Sequence, residues 1–280
     1  MSEARIPTSV GERARALLAA RDSVRSIATL TGADPSFTVA AAYAVADDIR
    51  ARRIARGERP LGYKIGFTNR GIWARYGVFA PIWGPVWNTT VERVDSAETS
   101  ISLASFVAPR LEPEIMFGFA RAPAAGMSLE ELAGCIEWVA HGFEIVHTRF
   151  DGWRFAAADT VADFALHGRL FVGPRVPIDR FVGNGSGDLA SELSSLRLTL
   201  SCDGRDVEEG SAEIVLDGPL HALRLWVDAM AARPERWPIV AGDIVTTGTI
   251  TDAAPLAPGQ RWQTRLSDPR FAGMTLNTTA

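Results

Sequence analysis

The chain carries 29 basic residues, and a single one of them, Lys64, is a lysine. It sits in the apolar, glycine-punctuated stretch from Leu61 to Asn69. Arginine stays protonated at any working pH, whereas a partly desolvated lysine can be lowered toward neutrality and exchange protons, so Lys64 is a candidate acid or base. Three acidic residues stand beside it as candidates. In the segment Arg110–Ile115, Glu112 and Glu114 are separated by one residue, and in a strand such a spacing sends both carboxylates off one face while Pro113, Ile115 and Phe117 leave the other. Two like charges so close repel unless a cation lies between them. A third carboxylate, Glu144, is embedded among Phe143, Ile145 and Val146, where an unpartnered charge would be expensive. Three carboxylates with few histidines or thiols make a hard, oxygen-donor set suited to Mg²⁺ or Mn²⁺ rather than zinc. Three glutamates around a dication leave one excess negative charge, and a protonated Lys64 offsets it.

The elements that have to position these groups can be read from periodicity. Gly11 to Arg21 and Phe37 to Arg56 are rich in alanine and arginine and predict helices. After Pro60 the chain turns to short β-type runs at 61–68, 101–107, 112–119, 143–150, 170–172, 196–202, 243–249 and 261–266. Ser128 and Glu131 form a capping box for a helix expected to run to about His141, and Gly218-Pro219 opens another that Pro234 ends. Residues 184–195 read as an exposed excursion. The expected class is α+β: an N-terminal helical segment at 1–59 and a β-rich catalytic body at 60–280, forming one continuous domain.

Taken together, Gly62–Asn69, Arg110–Ile115, Phe143–Arg149, Asp159–Asp163, Gly218–Leu223 and Ala241–Thr249 resemble the 2-keto-4-pentenoate hydratase and 4-oxalocrotonate decarboxylase family within the fumarylacetoacetate hydrolase superfamily. The resemblance implies a mixed β-roll with flanking helices, homo-oligomeric assembly, and Glu112, Glu114 and Glu144 as ligands of Mg²⁺ or Mn²⁺. It makes Lys64 the active-site lysine and the turn Thr247, Gly248 and Thr249 a holder of the substrate carboxylate. Leu111, Ile82, Trp83 and Phe164 fall at further substrate-binding positions.

The chain also departs from the family pattern. An aspartate is replaced by Ile82 in Pro81–Gly84, and the usual Asp-Asn-Ala-Ser is Asp-Phe-Ala-Leu at 163–166. Ile82 cannot move a proton, so Lys64 acts alone, His147 or His167 substitutes, or the reaction differs. His167, beside the altered run, is a catalytic candidate; His141 and His221 read as structural hydrogen-bonders. The aromatics Trp73, Tyr76, Phe79, Trp83 and Trp87 read as core, or alternatively as the wall of an apolar pocket selecting a less polar acid.

Composition narrows the rest. With 280 residues, 47% hydrophobic, and a net charge of −4, the chain can bury a large core and has no charge bias toward nucleic acid or an anionic membrane. A charged N-terminus and the lack of a long apolar run predict a cytoplasmic protein. Cys135 and Cys202 read as packing residues. The expected activity is hydration of a 2-hydroxy-2,4-dienoic or 2-oxo-enoic acid to a 4-hydroxy-2-oxo acid. Decarboxylation of a vinylogous 2-oxo diacid and non-catalytic binding of a small acid stand as alternatives.

Overall fold

The computed structural model describes residues 8–181, 188–231 and 237–280. The chain opens with helices α1 (Val10–Asp22), α2 (Leu30–Ala33) and α3 (Val39–Ala55). Ser9 and Glu12 close a reciprocal capping box at the start of α1, satisfying donors that a helix end otherwise leaves bare. Strand β1 (Pro60–Gly66), the short helix α4 (Trp73–Tyr76) and strands β2 (Ile82–Trp87), β3 (Val91–Arg93), β4 (Glu98–Ser102) and β5 (Arg110–Phe119) follow. Next come α5 (Leu129–Ala133), β6 (Ile136–Val146), α6 (Ala157–Ala162), β7 (His167–Pro177), α7 (Leu189–Ser194), β8 (Arg197–Cys202) and β9 (Arg205–Ser211). Helix α8 (Pro219–Met230) and strands β10 (Ile244–Thr249), β11 (Ala254–Pro255), β12 (Arg261–Leu266) and β13 (Thr275–Thr279) complete the order.

The strands form two mixed sheets. One runs β2-β1-β10-β5-β6-β7-β3, with β11 added against β5; the other runs β4-β13-β12-β8-β9. Side chains alternate across the first sheet. Ile65, Ile115, Phe117, Phe143, Phe171 and Val245 belong to the main core, which takes in Leu17, Ile49, Leu223 and Trp226 from α1, α3 and α8. Met116, Trp138, Ala140, Leu170, Val172 and Ile244 form a smaller cluster of their own. The face carrying Lys64, Glu112, Glu114 and Glu144 is therefore polar at one end and apolar at the other.

Three expectations need correction. The helix expected from Ser128 to His141 lasts only from Leu129 to Ala133, and the remainder is the central strand β6. Flanked by β5 and β7 and buried at every position but Glu137, β6 lacks the in-out alternation of a half-exposed strand, and periodicity alone does not separate such a segment from a buried helix. The excursion at 184–195 falls partly outside the described residues, but 189–194 is helix α7, with Leu189, Ala190 and Leu193 buried. Strand β2 was hidden in the aromatic stretch after Lys64; Pro85 is tolerated there because β2 is an edge strand. The helix stop assigned to Pro234 lies outside the described residues. No helix among the described residues is long and apolar enough to cross a membrane.

Candidate active site

Five neighbouring strands build the site. Glu112 on β5 and Glu144 on β6 are direct register partners, and Glu114 lies one pleat further along β5. Unlike charges could pair in such an arrangement, but like charges directly opposite destabilise a sheet. One carboxylate oxygen from each of the three lies within 4.8 Å of the others. Lys64 projects from β1, where it is paired with Thr246 of β10, and its Nζ reaches Glu144 Oε2 at 3.2 Å and donates to the Ala165 carbonyl at 3.0 Å. It is 4% exposed, so the ammonium is not free in bulk solvent.

Sheet irregularities aim the remaining donors. A register shift between Thr246 and Thr249 turns both the Thr246 hydroxyl and the Gly248 N–H onto Glu114 Oε2, the latter at 2.7 Å. Gly248 has φ 102°, and a Cβ there would sit 1.9 Å from Thr68 Oγ1, so only glycine fits this turn. On the far side, a shift between Ile145 and Val146 sets His167 of β7 against Glu144, with Nδ1 at 2.8 Å from Oε1 and Nε2 at 2.8 Å from Thr90 Oγ1.

Burial and mutual repulsion govern the charges. Burial pushes Glu112 up to about 7, with Glu144 adding to the rise against the pull of Lys64. Burial, Glu144 and Glu112 drive Glu114 well above the usual carboxylate range. Glu144 goes the other way: burial would raise it, yet Lys64 and His167 outweigh that and hold it low. Burial alone would also lower Lys64, but Glu144, Glu112 and Glu114 together keep it above its ordinary value. The lowering toward neutrality expected from the sequence is thus reversed by the carboxylates around it.

A divalent cation fits this arrangement. Glu114 Oε1 is buried and has no hydrogen-bond partner among the described residues, although the same residue's other oxygen is doubly bonded. Buried polar atoms are rarely left so. An all-carboxylate donor set matches Mg²⁺ or Mn²⁺.

Through Glu112 and Lys64 the site borders a cavity of about 590 Å³, lined also by Ile82, Gly248, Thr249, Phe67, Tyr76, Phe155, Arg75 and Arg110 among others, with Glu114 and Glu144 fully buried behind it. Arg110 leaves β5 on the same face as Glu112, and its guanidinium lies 4.2 Å from the centre of the Trp153 ring. A more open depression of about 690 Å³ near Asp48, Arg52 and Trp237 contains no member of the triad.

The structure brings together Lys64, Glu112, Glu114, Glu144, Ile82, Gly248 and Thr249. It does not bring four other sequence candidates to the cavity. Leu111 is fully buried in the main core because it alternates with Glu112. Trp83 packs 4.9 Å from Tyr43, and its backbone N–H donates to the Tyr43 hydroxyl. The Thr247 hydroxyl is turned inward to the Ile115 carbonyl. Phe164 is surrounded by arginines. His167, with its ring nitrogens on Glu144 and Thr90, does not line the cavity either. His147 accepts from Arg149 Nη2 at 2.9 Å, and burial holds it neutral. Sequence reasoning missed Thr90, Thr246 and the Ala165 carbonyl; the latter two lie in runs the sequence had singled out, Ala241–Thr249 and 163–166, but their contacts are made with strands distant in the chain.

Comparison with known proteins follows from this geometry. No family model matches the chain. A 2-hydroxyhexa-2,4-dienoate hydratase from Comamonas testosteroni is 31% identical over 264 residues, 94% of either chain. The structure of 4-oxalocrotonate decarboxylase from Pseudomonas putida G7, complexed with magnesium and adipate, matches with a TM-score of 0.86 at 26% identity, covering 98% of this chain and 100% of that one. Fumarylpyruvate hydrolase from Pseudomonas aeruginosa, in complex with Mn²⁺ and pyruvate, shares the fold at a TM-score of 0.59 and 14% identity, over 79% of this chain and 89% of that one. The fold is that of the fumarylacetoacetate hydrolase superfamily, α+β with mixed sheets. Within it, the chain belongs to the 2-keto-4-pentenoate hydratase and 4-oxalocrotonate decarboxylase family, a family of lyases.

Proposed function

We propose that the protein is a hydro-lyase that converts a 2-hydroxy-2,4-dienoate, through its 2-oxo-3-enoate tautomer, to a 4-hydroxy-2-oxo acid. The observation that carries this reading is the convergence of Glu112, Glu114 and Glu144 within 4.8 Å, with the sole lysine 3.2 Å from one of them, on the cavity. Glu112, Glu114 and Glu144 would hold Mg²⁺ or Mn²⁺. When bound, such an ion supplies Lewis-acid stabilisation of charge developing on the substrate's 2-oxygen, a contribution of several kcal/mol in sites of this kind. Lys64, protonated among the carboxylates, delivers a proton to the distal carbon of the dienol and is reprotonated by the proton that leaves the enol hydroxyl, so that the step is a net shift of one proton from oxygen to carbon. Water then adds across the conjugated double bond, its oxygen to carbon 4 and its hydrogen to carbon 3. His167 and Thr90 fix the orientation of Glu144, and Thr246 with Gly248 fixes that of Glu114. Ile82, Phe67, Tyr76 and Phe155 give the substrate's carbon chain an apolar wall. The reading carries with it a cytoplasmic homo-oligomer with no nucleic-acid or membrane partner.

A second reading, decarboxylation of a vinylogous 2-oxo diacid, is supported by Arg75 and Arg110, whose guanidiniums on the cavity wall suit a second carboxylate. Incubation with a 2-hydroxydienoate and, separately, with 4-oxalocrotonate in the presence of Mg²⁺ decides between them. Hydrated product from the first supports hydration, CO₂ from the second supports decarboxylation, and turnover of neither leaves only non-catalytic binding.

A further inference from the structure

The turn leading into β7 is left-handed over three successive residues. Phe164, Ala165 and Leu166 have φ of 59°, 52° and 63°, a conformation costly for any residue with a Cβ. Two groups of the site depend on this turn: the Ala165 carbonyl accepts from Lys64 Nζ at 3.0 Å, and the next residue but one, His167, holds Glu144 at 2.8 Å. Something has to hold the strained backbone in place.

The Phe164 side chain supplies a handle. It is 7% exposed, and around its ring lie the guanidinium carbons of Arg149 at 4.9 Å, Arg21 at 5.0 Å and Arg53 at 5.8 Å. Arg149 is tied to Asp163, the residue that opens the turn, at 2.5 Å, and the Leu166 N–H closes back on the Asp163 carbonyl at 2.8 Å. Arg53 is tied to Glu58 and Arg21 extends from α1. The family that the chain resembles carries an amide at position 164. A phenyl ring cannot replace its hydrogen bonds, but its face attracts cations, the more strongly where they are desolvated.

We propose that Phe164 is a positioning residue: gripped by Arg21, Arg53 and Arg149, it locks the left-handed turn 164–166 and thereby keeps the Ala165 carbonyl on Lys64 and His167 on Glu144. The turnover part of the test rests on the proposed function; a second part does not. Because Lys64 is the sole lysine, Nζ is the sole side-chain amine that acetic anhydride can acylate, and mass spectrometry of peptides reads that site apart from tyrosyl, thiol and amino-terminal products. Three variants are compared with the wild type: Phe164→Leu, which keeps an apolar side chain without a π face; Phe164→Tyr, which keeps the face; and Leu223→Ala, which destabilises the core elsewhere.

Loosening the turn in Phe164→Leu lowers kcat on the order of tenfold or more with KM within about threefold at saturating metal, as expected for a misplaced reacting group, and weakens Mn²⁺ binding about tenfold through the displaced His167. The same variant acylates at Lys64 several-fold faster than wild type, while Phe164→Tyr stays near wild type in both readouts. Arg21→Met reproduces part of the acceleration. Wild-type protection of Lys64 in Phe164→Leu overturns the proposal, as does equal acceleration in Leu223→Ala, which would trace the effect to general loss of stability. If the wild type turns over no dienoate, the proposed function fails, and the acylation comparison still decides this inference.

Discussion

Glu112 and Glu144 face each other directly across β5 and β6, with the Lys64 ammonium 3.2 Å from the second of them. The sheet is thus built against its own electrostatics at this point, and its stability is coupled to whatever positive charge enters.

That coupling predicts opposite effects of Glu112→Gln on the metal-free and metal-treated protein. Glu112 is pushed up to about 7 by burial and by Glu144, above its usual 4.5. Between those values the folded state holds a proton that the unfolded state has lost, so the chelator-treated wild type loses stability as pH rises from about 4.5 to 7. Glu112→Gln is expected to flatten that slope and to raise Tm at pH 7 without metal. Added Mn²⁺ should raise the wild-type Tm and leave the variant little changed. Calorimetry with and without EDTA measures both, and an equal Mn²⁺ gain in the variant would exclude Glu112 as a ligand.

Replacing Lys64 with methionine removes the ammonium while keeping much of its stem. Glu144 is then buried without its cation, which costs on the order of 3–5 kcal/mol when one member of a buried pair is deleted. Mn²⁺ should restore most of the lost Tm, since the dication supplies the missing charge. Turnover should remain depressed by about 10²- to 10⁴-fold even at saturating metal, the range for loss of a proton-transfer group. Activity restored by metal alone would assign Lys64 a purely structural part.

His141 gives a pH dependence independent of the metal. Its Nδ1–H donates to the Glu114 carbonyl at 3.0 Å, and Nε2 accepts from the Thr264 hydroxyl at 2.8 Å. Burial lowers it to about 4 from 6.5 despite the bond to Glu114. Between these values the unfolded state binds the extra proton, so this contribution is fully present above pH 6.5 and is lost as pH falls toward 4. Its size is on the order of 3 kcal/mol. His141→Gln should be less stable at pH 7 yet lose less on acidification. Urea midpoints at several pH values test the slope, and parallel slopes would contradict it.

Gly248→Ala is expected to weaken the site through backbone strain and a clash, since its Cβ would lie 1.9 Å from Thr68 Oγ1 at a φ of 102°. Displacing the 248 N–H frees Glu114 from one of its two donors. A loss of about 10- to 100-fold in Mn²⁺ affinity is expected, as for other groups that orient a ligand. Pairing it with Thr68→Ala should recover part of that loss, and isothermal titration of both variants checks it.

Several features were legible in the residues alone. Alternation along β5 put Glu112 and Glu114 on one face and Pro113, Ile115 and Phe117 on the other, because a strand has a period of two whatever surrounds it. The hard donor set and the uniqueness of Lys64 are chemical identities that no fold can alter. Helices α1 and α3 announced themselves through their alanine- and arginine-rich composition, and α8 through Gly218-Pro219.

Tertiary structure decided which groups meet and where the rest of the chain's candidates go. Strand order β1-β10-β5-β6-β7 brings residues 64, 246, 114, 144 and 167 side by side, and no local pattern encodes the neighbour of a strand. The helix-or-strand ambiguity of β6 vanished only once β5 and β7 claimed its hydrogen bonds. Phe164 and Trp83 left the cavity because arginines and Tyr43 hold their rings elsewhere. The protonation of Lys64 likewise depends on carboxylates distant in sequence, since desolvation and Coulomb attraction act through space and not along the chain.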